Sequence, residues 1–458
     1  MQPNQHPIVA LATPAGIGAI GVIRVSGDGA LSLVDSIFKG KRLAEQAGHT
    51  AHFGTIIDDD IAIDEVLATV FRSPRSYTGQ DTVEISCHGS PYILQRVIEL
   101  LVAHGAQPAK AGEFTLRAFL NGKLDLAQAE AVADLIAAEN EAMRRVALQQ
   151  MRHGFSEQLA DLREQLLQFA ALIELELDFS TEDVEFADRR QLQALVERLQ
   201  TVLLPMIQSF RWGNVLKNGV ATVIAGRPNA GKSTLLNALL NDNRAIVSDI
   251  AGTTRDTIEE ILYIDGIAFR LIDTAGLRQS TDAIERIGVA RTLEKIAQAT
   301  LLVYVFDVTQ MSLSEVESDL AQWQRDGMTT IVVANKMDCL AVSAYDHLSR
   351  HFPSGYLPIS AQTRSGIAQL QQALLQAAGS NSIAPDATLI TNVRHYEALQ
   401  KAHTALNQVL GGMQQGKSSE LLAFDLRVAL DYLGQITGKS IDSEEVLGAI
   451  FSRFCIGK

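Results

Sequence analysis

The stretch VATVIAGRPNAGKST at residues 220–234 sets the fold of the central part of this chain. Its first six residues form an apolar run, typical of a strand buried on both faces of a parallel sheet. The next eight fit the pattern G-x-x-x-x-G-K-S/T and lead into a helical sequence. A glycine-rich turn between a strand and a helix surrounds phosphates with backbone N–H groups and a helix N-terminus. The stretch therefore predicts a nucleotide-binding P-loop.

The sequence downstream repeats the alternation of strands and helices. Short apolar runs at residues 268–272, 301–306 and 330–334 are separated by stretches with helical periodicity. Repeated βα units of this kind predict a doubly wound sheet. A polar stretch of small residues at 379–385 ends the pattern. We therefore expect one P-loop domain over residues 213–379.

Three further segments follow in the order that a GTPase requires. DTAG (273–276) and NKMD (335–338) each end a predicted strand, and Ser360-Ala361 follows another. Asp338 can accept hydrogen bonds from N1–H and N2–H₂ of guanine, donors that adenine lacks there, which favours GTP over ATP. The residues expected on these grounds to contact GTP are Asn229, Ala230, Gly231, Lys232, Ser233, Thr234, Asp273, Thr274, Ala275, Gly276, Asn335, Lys336, Met337, Asp338, Ser360 and Ala361.

The segment GTTRD (252–256) lies where a switch segment is expected after the P-loop. It adds Gly252, Thr253 and Thr254 to the expected GTP contacts, with Ser233 and Thr254 as candidate Mg²⁺ ligands. The residue after DTAG is Leu277, where Ras-like proteins carry a glutamine that orients the attacking water. Water positioning and charge stabilisation must therefore come from other groups.

The sequence on either side of the P-loop domain has a different character. Short β-branched runs at 19–26, 51–57, 65–71 and 82–87, with a helical stretch at 91–104, predict a mixed N-terminal domain. Amphipathic helical patterns dominate 115–211, as at 124–136 and 155–177, and return at 392–410, 424–433 and 444–451. We expect a multidomain α/β and α chain with an N-terminal α+β domain (1–114). Its helical domain (115–212 and 380–458) is expected to be split by an inserted Ras-like P-loop G domain.

Composition narrows the function classes. The 458 residues are 47% hydrophobic, which is enough to bury a sizeable core. Three scattered cysteines make neither a disulfide framework nor a zinc site, so a cytoplasmic location is expected. The net charge of −14 counts against a broad basic face, so an RNA contact needs a local basic patch or a partner. We expect neither a membrane span nor a secretory signal, because no long uninterrupted apolar run is present.

Four segments together resemble one protein family. They are GRPNAGKS (226–233), GTTRD (252–256), DTAGL (273–277) and the last four residues, CIGK (455–458). They are similar to the MnmE (TrmE) family of tRNA-modification GTPases, over essentially the full chain. The first three segments would also fit Era- or Der-like GTPases of ribosome assembly, so that alternative stays open beside the family's characteristic CIGK ending.

The resemblance implies a potassium-activated GTPase that dimerises across its G domains. A monovalent cation against the phosphates can replace an arginine finger. Glu285 would be catalytic, orienting the water that Leu277 cannot orient. The K⁺ ligands implied are the Asn229 side chain and the backbone carbonyls of Ser248, Ile250 and Thr253. The GTP contacts are completed by Ser248, Asp249, Ile250 and Ala251.

The resemblance also implies an N-terminal folate-binding domain, similar to that of aminomethyltransferases. The contacts to a tetrahydrofolate derivative (5-formyl or 5,10-methylene) fall on Arg24, Glu84, Lys123 and Lys458. Strand alternation is compatible with this, since Glu84 shares a face with Thr82 and Ser86. Cys455 is a candidate catalytic residue, the alternative being a small buried hydrophobe at a helix end. A prenylation box is disfavoured because the chain ends in lysine.

The implied function is C5 modification of a wobble uridine in tRNA, carboxymethylaminomethyl or aminomethyl, driven by cycles of GTP hydrolysis. The family implies a homodimer and a flavoprotein partner, MnmG, in a heterotetramer that shares the tRNA contact. No membrane contact is expected. A dynamin-like membrane enzyme is disfavoured because the sequence has no basic amphipathic or lipid-inserting stretch.

Overall fold

A computed structural model describes residues 6–153, 155–178, 187–242, 260–272, 299–325, 327–340, 355–378, 389–439, 447, 450–452 and 454–457. Contacts divide the chain into two compact units. The first contains Met1–Ala138, Arg144–Leu204 and Glu397–Lys458, and the second contains Glu139–Met143 and Pro205–Tyr396. Across the described residues no helix combines the length and apolar character needed to cross a membrane.

The described part of the first unit begins with a seven-stranded sheet. Its strands are β1 (Ile8–Leu11), β2 (Ile20–Ser26), β3 (Phe38–Lys39), β4 (Thr50–Asp58), β5 (Ile61–Phe71), β6 (Thr82–His88) and β7 (Gln107–Pro108). They lie in the order β3-β4-β5-β6-β2-β1-β7, with β1 and β7 parallel and the other neighbours antiparallel. The four strands expected from sequence are β2, β4, β5 and β6, whereas β1, β3 and β7 have no counterpart in that prediction.

Helices α1 (Ala30–Asp35) and α2 (Pro91–Ala103) cover one face of this sheet. Ile23 and Val25 of β2 and Ile85 of β6 point into that core together with Leu94 and Val97 of α2. Because side chains alternate along a strand, the intervening residues of β2 and β6 lie on the opposite face. Arg24 and Glu84 are direct cross-strand partners there.

Helices follow this sheet in sequence, and two of them have residues in both units. These helices are α3 (Glu113–Leu120), α4 (Leu126–Ile136), α5 (Glu141–His153), α6 (Phe155–Asp178) and α7 (Arg189–Asn218). The start of α4 is set by a capping box, in which Asp125 accepts from the Gln128 N–H and Gln128 accepts from the Asp125 N–H. This cap explains why the helix begins two residues after the predicted 124.

The described part of the second unit contains a six-stranded sheet. Its strands are β8 (Val220–Ala225), β9 (Glu260–Ile264), β10 (Ile267–Leu271), β11 (Leu301–Asp307), β12 (Thr329–Asn335) and β13 (Leu357–Pro358), and its helices are α8 (Lys232–Asp242), α9 (Leu313–Trp323) and α10 (Ile367–Ala378). The order is β13-β12-β11-β8-β10-β9, parallel except for β9. All seven residues of β11 are buried, as a strand covered on both faces requires.

Two last helices return to the first unit. α11 (Val393–Gln414) crosses the boundary between the units, and α12 (Ser419–Thr437) packs against α6. Arg163 of α6 donates to the Leu430 carbonyl at 3.2 Å, and Arg427 of α12 pairs with Glu174 at 2.6 Å. Helices on either side of the P-loop segment in sequence therefore pack against each other. The helix predicted at 444–451 lies largely outside the described residues.

Candidate functional site

The P-loop connects the end of β8 to the start of α8. Gly226 and Gly231 have φ angles of 155° and 88°, in the region that favours glycine. A Cβ on Gly226 would lie 2.0 Å from the Val305 carbonyl oxygen, and one on Gly231 would lie 2.2 Å from Asn335 Nδ2. Both glycines of the motif are therefore required for the backbone to pass this close to its neighbours.

Lys232 lies within the curve of this loop. Its Nζ donates to the backbone carbonyls of Gly226 and Arg227, both at 2.8 Å. Burial lowers the pKa of Lys232, because a charged ammonium loses hydration there. An anionic phosphate in the loop would favour the charged ammonium and oppose this effect.

Asn335, at the end of β12, joins three segments of the site. Its side chain is 2% exposed, and its Nδ2 donates to the Ala230 carbonyl at 2.9 Å. Its Oδ1 accepts from the Ala361 N–H at 3.0 Å. The P-loop, the NKMD segment and Ser360-Ala361 are thereby held at one edge of the sheet, where the parallel strands end.

Lys336 and Asp338, in the same NKMD segment as Asn335, lie where the base of the nucleotide is expected. Lys336 donates to Asp307 Oδ2 at 2.6 Å. Burial alone would raise the pKa of Asp307, but the hydrogen bonds from Lys336 and Thr309 lower it. Asp338 is exposed, and a hydrogen bond from the Ser360 side chain is the main cause of its lowered pKa. An ionised Asp338 is a pure acceptor, as recognition of the guanine N–H edge needs.

Several predicted site residues lie outside the described residues, and their roles stay predictions. They are Ser248, Asp249, Ile250, Ala251, Gly252, Thr253, Thr254, Asp273, Thr274, Ala275, Gly276, Glu285 and Lys458. Leu277 lies outside as well. The described residues of the nucleotide site therefore comprise the P-loop and the segments around Asn335 and Ser360.

A second cluster lies on the face of the N-terminal sheet opposite α1 and α2. Arg24 Nε and Nη2 both contact Glu84 Oε1, at 2.9 and 2.8 Å. Arg24 Nη1 donates to the Gly457 carbonyl at 3.0 Å, although 433 positions separate the two residues. The structure thus brings the C-terminal segment to two of the predicted folate contacts.

Two aromatic residues at this cluster have no counterpart in the sequence prediction. The Arg24 guanidinium lies 5.4 Å from the ring centre of Tyr77 and 5.6 Å from that of Phe114. The Tyr77 hydroxyl bonds to Thr115 at 2.8 Å, and burial is the main cause of its raised pKa. No local pattern singles out these rings, since Tyr77 lies in a loop and Phe114 has the ordinary pattern of a buried helix residue.

Lys123 and Cys455, the other two described residues predicted for this site, are both exposed. Lys123 is exposed, and its Nζ donates to the Pro74 carbonyl at 3.1 Å, beside the loop that follows β5. Cys455 has an exposed side chain, so its interpretation as a small buried hydrophobe is wrong. Its carbonyl accepts from the Gly112 N–H at 3.3 Å, which ties the C-terminal segment to the start of α3.

Two family models match this chain, one over its N-terminal residues and one over the rest. A model described as the MnmE helical domain matches residues 126–455, and one described as the GTP-binding protein TrmE N-terminus matches residues 7–123. The chain belongs to the MnmE family. Membership confirms the resemblance carried by the four sequence segments. It also confirms the coarse fold class, a mixed α/β chain with an N-terminal domain and a helical domain.

Relatives in the MnmE family match the chain along nearly its whole length. The tRNA modification GTPase MnmE of Cytophaga hutchinsonii is 53% identical over 453 residues, covering 98% of this chain and 97% of the relative. That of Flavobacterium johnsoniae is 52% identical over 465 residues, covering 99% and 100%. A solved FeoB G-domain from Methanococcus jannaschii is 25% identical and covers 35% of this chain and 98% of its own. Its TM-score of 0.26 is too low to support an argument about the fold.

Proposed function

We propose that this chain hydrolyses GTP in the modification of tRNA. Its Ras-like G domain would be inserted into a helical domain that follows a folate-binding N-terminal domain. The observation that carries the proposal is the pair of hydrogen bonds made by Asn335, which hold the P-loop beside the segments that would contact the base. The names of the family's relatives, tRNA modification GTPases, support the same reaction class.

Guanine selectivity would come from Asp338. Its exposed carboxylate next to Ser360 is ionised and would accept from N1–H and N2–H₂ of the base. ATP would leave this carboxylate without a donor, which disfavours adenine strongly. The adjacent Lys336, fixed by Asp307, would pack along the base.

The ion ligands extend this proposal. Mg²⁺ would be held by Ser233 and Thr254, and K⁺ by the Asn229 side chain with the carbonyls of Ser248, Ile250 and Thr253. Ser233 lies in the first turn of α8, where a P-loop serine can reach a phosphate-bound ion. Asn229 is exposed with a φ of 61°, and its side-chain amide oxygen is a suitable ligand for a hard cation. Glu285 would orient the attacking water, since Leu277 has no polar side-chain atom.

A tetrahydrofolate one-carbon donor would bind at the cluster on the N-terminal sheet. Arg24 forms an ion pair with Glu84 through Oε1, and Glu84 Oε2 could accept from the N–H edge of a pterin. Lys123 and Lys458 are the proposed partners for the glutamyl carboxylates. Cys455 remains the candidate for chemistry on the one-carbon unit or the uridine, because its thiol is exposed and it shortly precedes Gly457, whose carbonyl accepts from Arg24.

The same sheet face supports a homodimer. Phe53 and Leu67 are cross-strand partners on β4 and β5, and their side chains are 68% and 43% exposed. A second copy of the chain would remove this apolar surface from water. The flavoprotein MnmG would then join the dimer, supply the redox chemistry and share the contact to tRNA, which the net charge of −14 disfavours for this chain alone. All of these steps would take place in the cytoplasm.

The decisive experiment measures GTP hydrolysis in KCl and in NaCl at equal ionic strength. The proposal predicts at least about tenfold faster turnover in KCl, because K⁺ would stabilise charge that develops on the phosphates. Asn229→Ala should remove this stimulation and leave GDP affinity within about twofold. Equal rates in the two salts would refute the potassium requirement, and lost nucleotide binding would refute the role of Asn229.

Two further measurements test the substrates. Asp338→Asn should shift preference from GTP to xanthosine triphosphate, and an unchanged preference would contradict the guanine assignment. Binding of 5-formyl-tetrahydrofolate by calorimetry should be lost in Arg24→Gln and retained in Arg42→Gln. The control removes an exposed arginine that is paired with Glu45 and follows the edge strand β3, away from Arg24. No binding to the unmodified chain would refute the folate assignment.

A further inference from the structure

Two carboxylates of α9 hold the side chain of Arg227, the second residue of the P-loop motif. Arg227 Nε and Nη2 donate to Asp319 Oδ2 and Oδ1 at 2.9 and 3.1 Å, and Nη1 donates to Glu315 Oε1 at 2.6 Å. A two-pronged guanidinium–carboxylate contact fixes orientation as well as distance. We call Arg227, Glu315 and Asp319 the α9 clamp.

Both carboxylates of the α9 clamp are themselves held in place. Glu315 Oε2 accepts from the Ser312 N–H at 2.9 Å and from its hydroxyl at 2.8 Å, in the capping box that starts α9. These bonds and Arg227 lower the pKa of Glu315 to about 2. Asp319 Oδ2 also accepts from the buried Tyr304 hydroxyl at 2.8 Å. Arg227 is therefore bound to a prearranged acceptor rather than to two mobile surface acids.

The backbone of Arg227 belongs to the phosphate-binding machinery. Its carbonyl oxygen is one of the two that accept from Lys232 Nζ. Asn229, two residues later, has the left-handed φ of 61° that turns the loop. Since Arg227 is anchored through its side chain, the clamp restrains the half of the loop that precedes Ala230.

We propose that Arg227 is a positioning residue for nucleotide binding, with the α9 clamp keeping the first half of the P-loop in its binding shape. The guanidinium is committed to two carboxylates of its own unit, so it does not act on the phosphates as an arginine finger. A loop that holds its binding shape only part of the time binds every phosphate ligand more weakly, by the fraction of time that it is competent. Loss of the clamp should therefore weaken GDP and GTP by the same factor and leave kcat at saturating GTP unchanged.

The experiment compares Asp319→Asn and Arg227→Gln with Glu317→Gln in the full-length chain. Glu317 is exposed on the same helix and takes no part in the clamp, so its variant matches the change in charge of Asp319→Asn. We expect the Kd for fluorescent GDP and the KM for GTP to rise about three- to tenfold in both clamp variants, a range set by the partial exposure of the ion pair. Glu317→Gln should leave both constants within about twofold. The double variant should bind about as weakly as Arg227→Gln, because both changes remove one interaction.

Two outcomes would overturn the proposal. A fall in kcat with unchanged GDP affinity would show that Arg227 acts on the transition state. A lower Tm with unchanged Kd, KM and kcat would show that the clamp only stabilises the fold. Asp319→Asn preserves shape and keeps the test available if Arg227→Gln does not fold, and the fluorescence of the buried Trp323 at the end of α9 reports which variants are folded.

Discussion

Replacing Asn335 with alanine would remove the side chain that joins the P-loop to Ser360-Ala361. The amide of Asn335 is buried, and so are Ala230 and Ala361, whose carbonyl and N–H it binds. The substitution leaves two buried polar groups without these partners. Each unsatisfied group costs roughly 1–3 kcal/mol, so the free energy of unfolding should fall by about 2–6 kcal/mol. This is a large share of the roughly 5–15 kcal/mol that stabilises a typical domain.

Urea unfolding followed by tryptophan fluorescence is a suitable assay. The chain has two tryptophans, Trp212 and Trp323, and both belong to the second unit. The signal therefore reports the unit that contains Asn335. A loss of about 3 kcal/mol should also lower its Tm by roughly 6–12 °C. Fluorescent GDP should bind more weakly, because the variant P-loop is no longer tied to β12.

Asn218→Ala is the matched control. Asn218 is exposed on α7, and its Nδ2 donates to Asn214 Oδ1 at 2.6 Å. Water can replace that bond, so the control should change the free energy of unfolding by less than about 0.5 kcal/mol. If Asn335→Ala unfolded at the same urea concentration as Asn218→Ala, the two buried hydrogen bonds would not stabilise the site, and the reasoning would be refuted.

Three further predictions concern residues outside the P-loop. Cys87 is buried and burial raises the pKa of its thiol to about 12, so iodoacetamide at pH 8 should alkylate the exposed Cys455 and spare Cys87, as peptide mass spectrometry can show. Tyr263→Phe removes the hydroxyl that donates to Glu139 at 2.8 Å and should lower the free energy of unfolding by about 0.5–1.5 kcal/mol in a urea titration. Burial and that bond raise the pKa of Tyr263 to about 12, so its contribution should be present below about pH 10, the ordinary tyrosine value, and be lost as the pH rises toward 12. Gly457→Ala would force a residue with φ of 95° to carry a Cβ 2.3 Å from a carbonyl of β1, and should weaken binding of 5-formyl-tetrahydrofolate at least about tenfold while GTP turnover stays unchanged.

The strands of the second unit were predictable where burial on both faces leaves an unbroken apolar run. The run at 301–306 is such a case, and every residue of β11 is buried. β9 escapes this criterion because it is an edge strand, in which Leu262 is buried and Ile261 is 42% exposed. Its pairing with β10 depends on the turn at Asp265 and Gly266, both left-handed, which is a signal of a tight hairpin. Reading that turn would have extended the predicted sheet by one strand.

Some site residues can be found from a local sequence motif, whereas others meet only through contacts between segments that are distant in sequence. The P-loop glycines and Asn335 occur in short motifs whose chemistry fixes their spacing, so sequence alone identifies them. The partners of Arg227 lie 88 and 92 positions away on an amphipathic helix, where an acidic residue is ordinarily just a solvated one. The rings of Tyr77 and Phe114 are also distant in sequence from Arg24. Tertiary packing decides these contacts, and no periodicity in the chain encodes them.

The C-terminal segment shows why the N-terminal cluster depends on the helices of the first unit. Gly457 meets Arg24 at 3.0 Å, and four residues before Cys455 the ring of Phe451 is buried against Leu126 of α4 and Leu447. The segment between them is short, so the position of Phe451 in that helical core limits where the Gly457 carbonyl can lie. A shift of about 1 Å would stretch the bond to Arg24 beyond hydrogen-bonding range. Arg24 would then lose the hydrogen bond to the C-terminal segment. A rearrangement of the helices around Phe451 would therefore change the contacts of the Arg24–Glu84 pair.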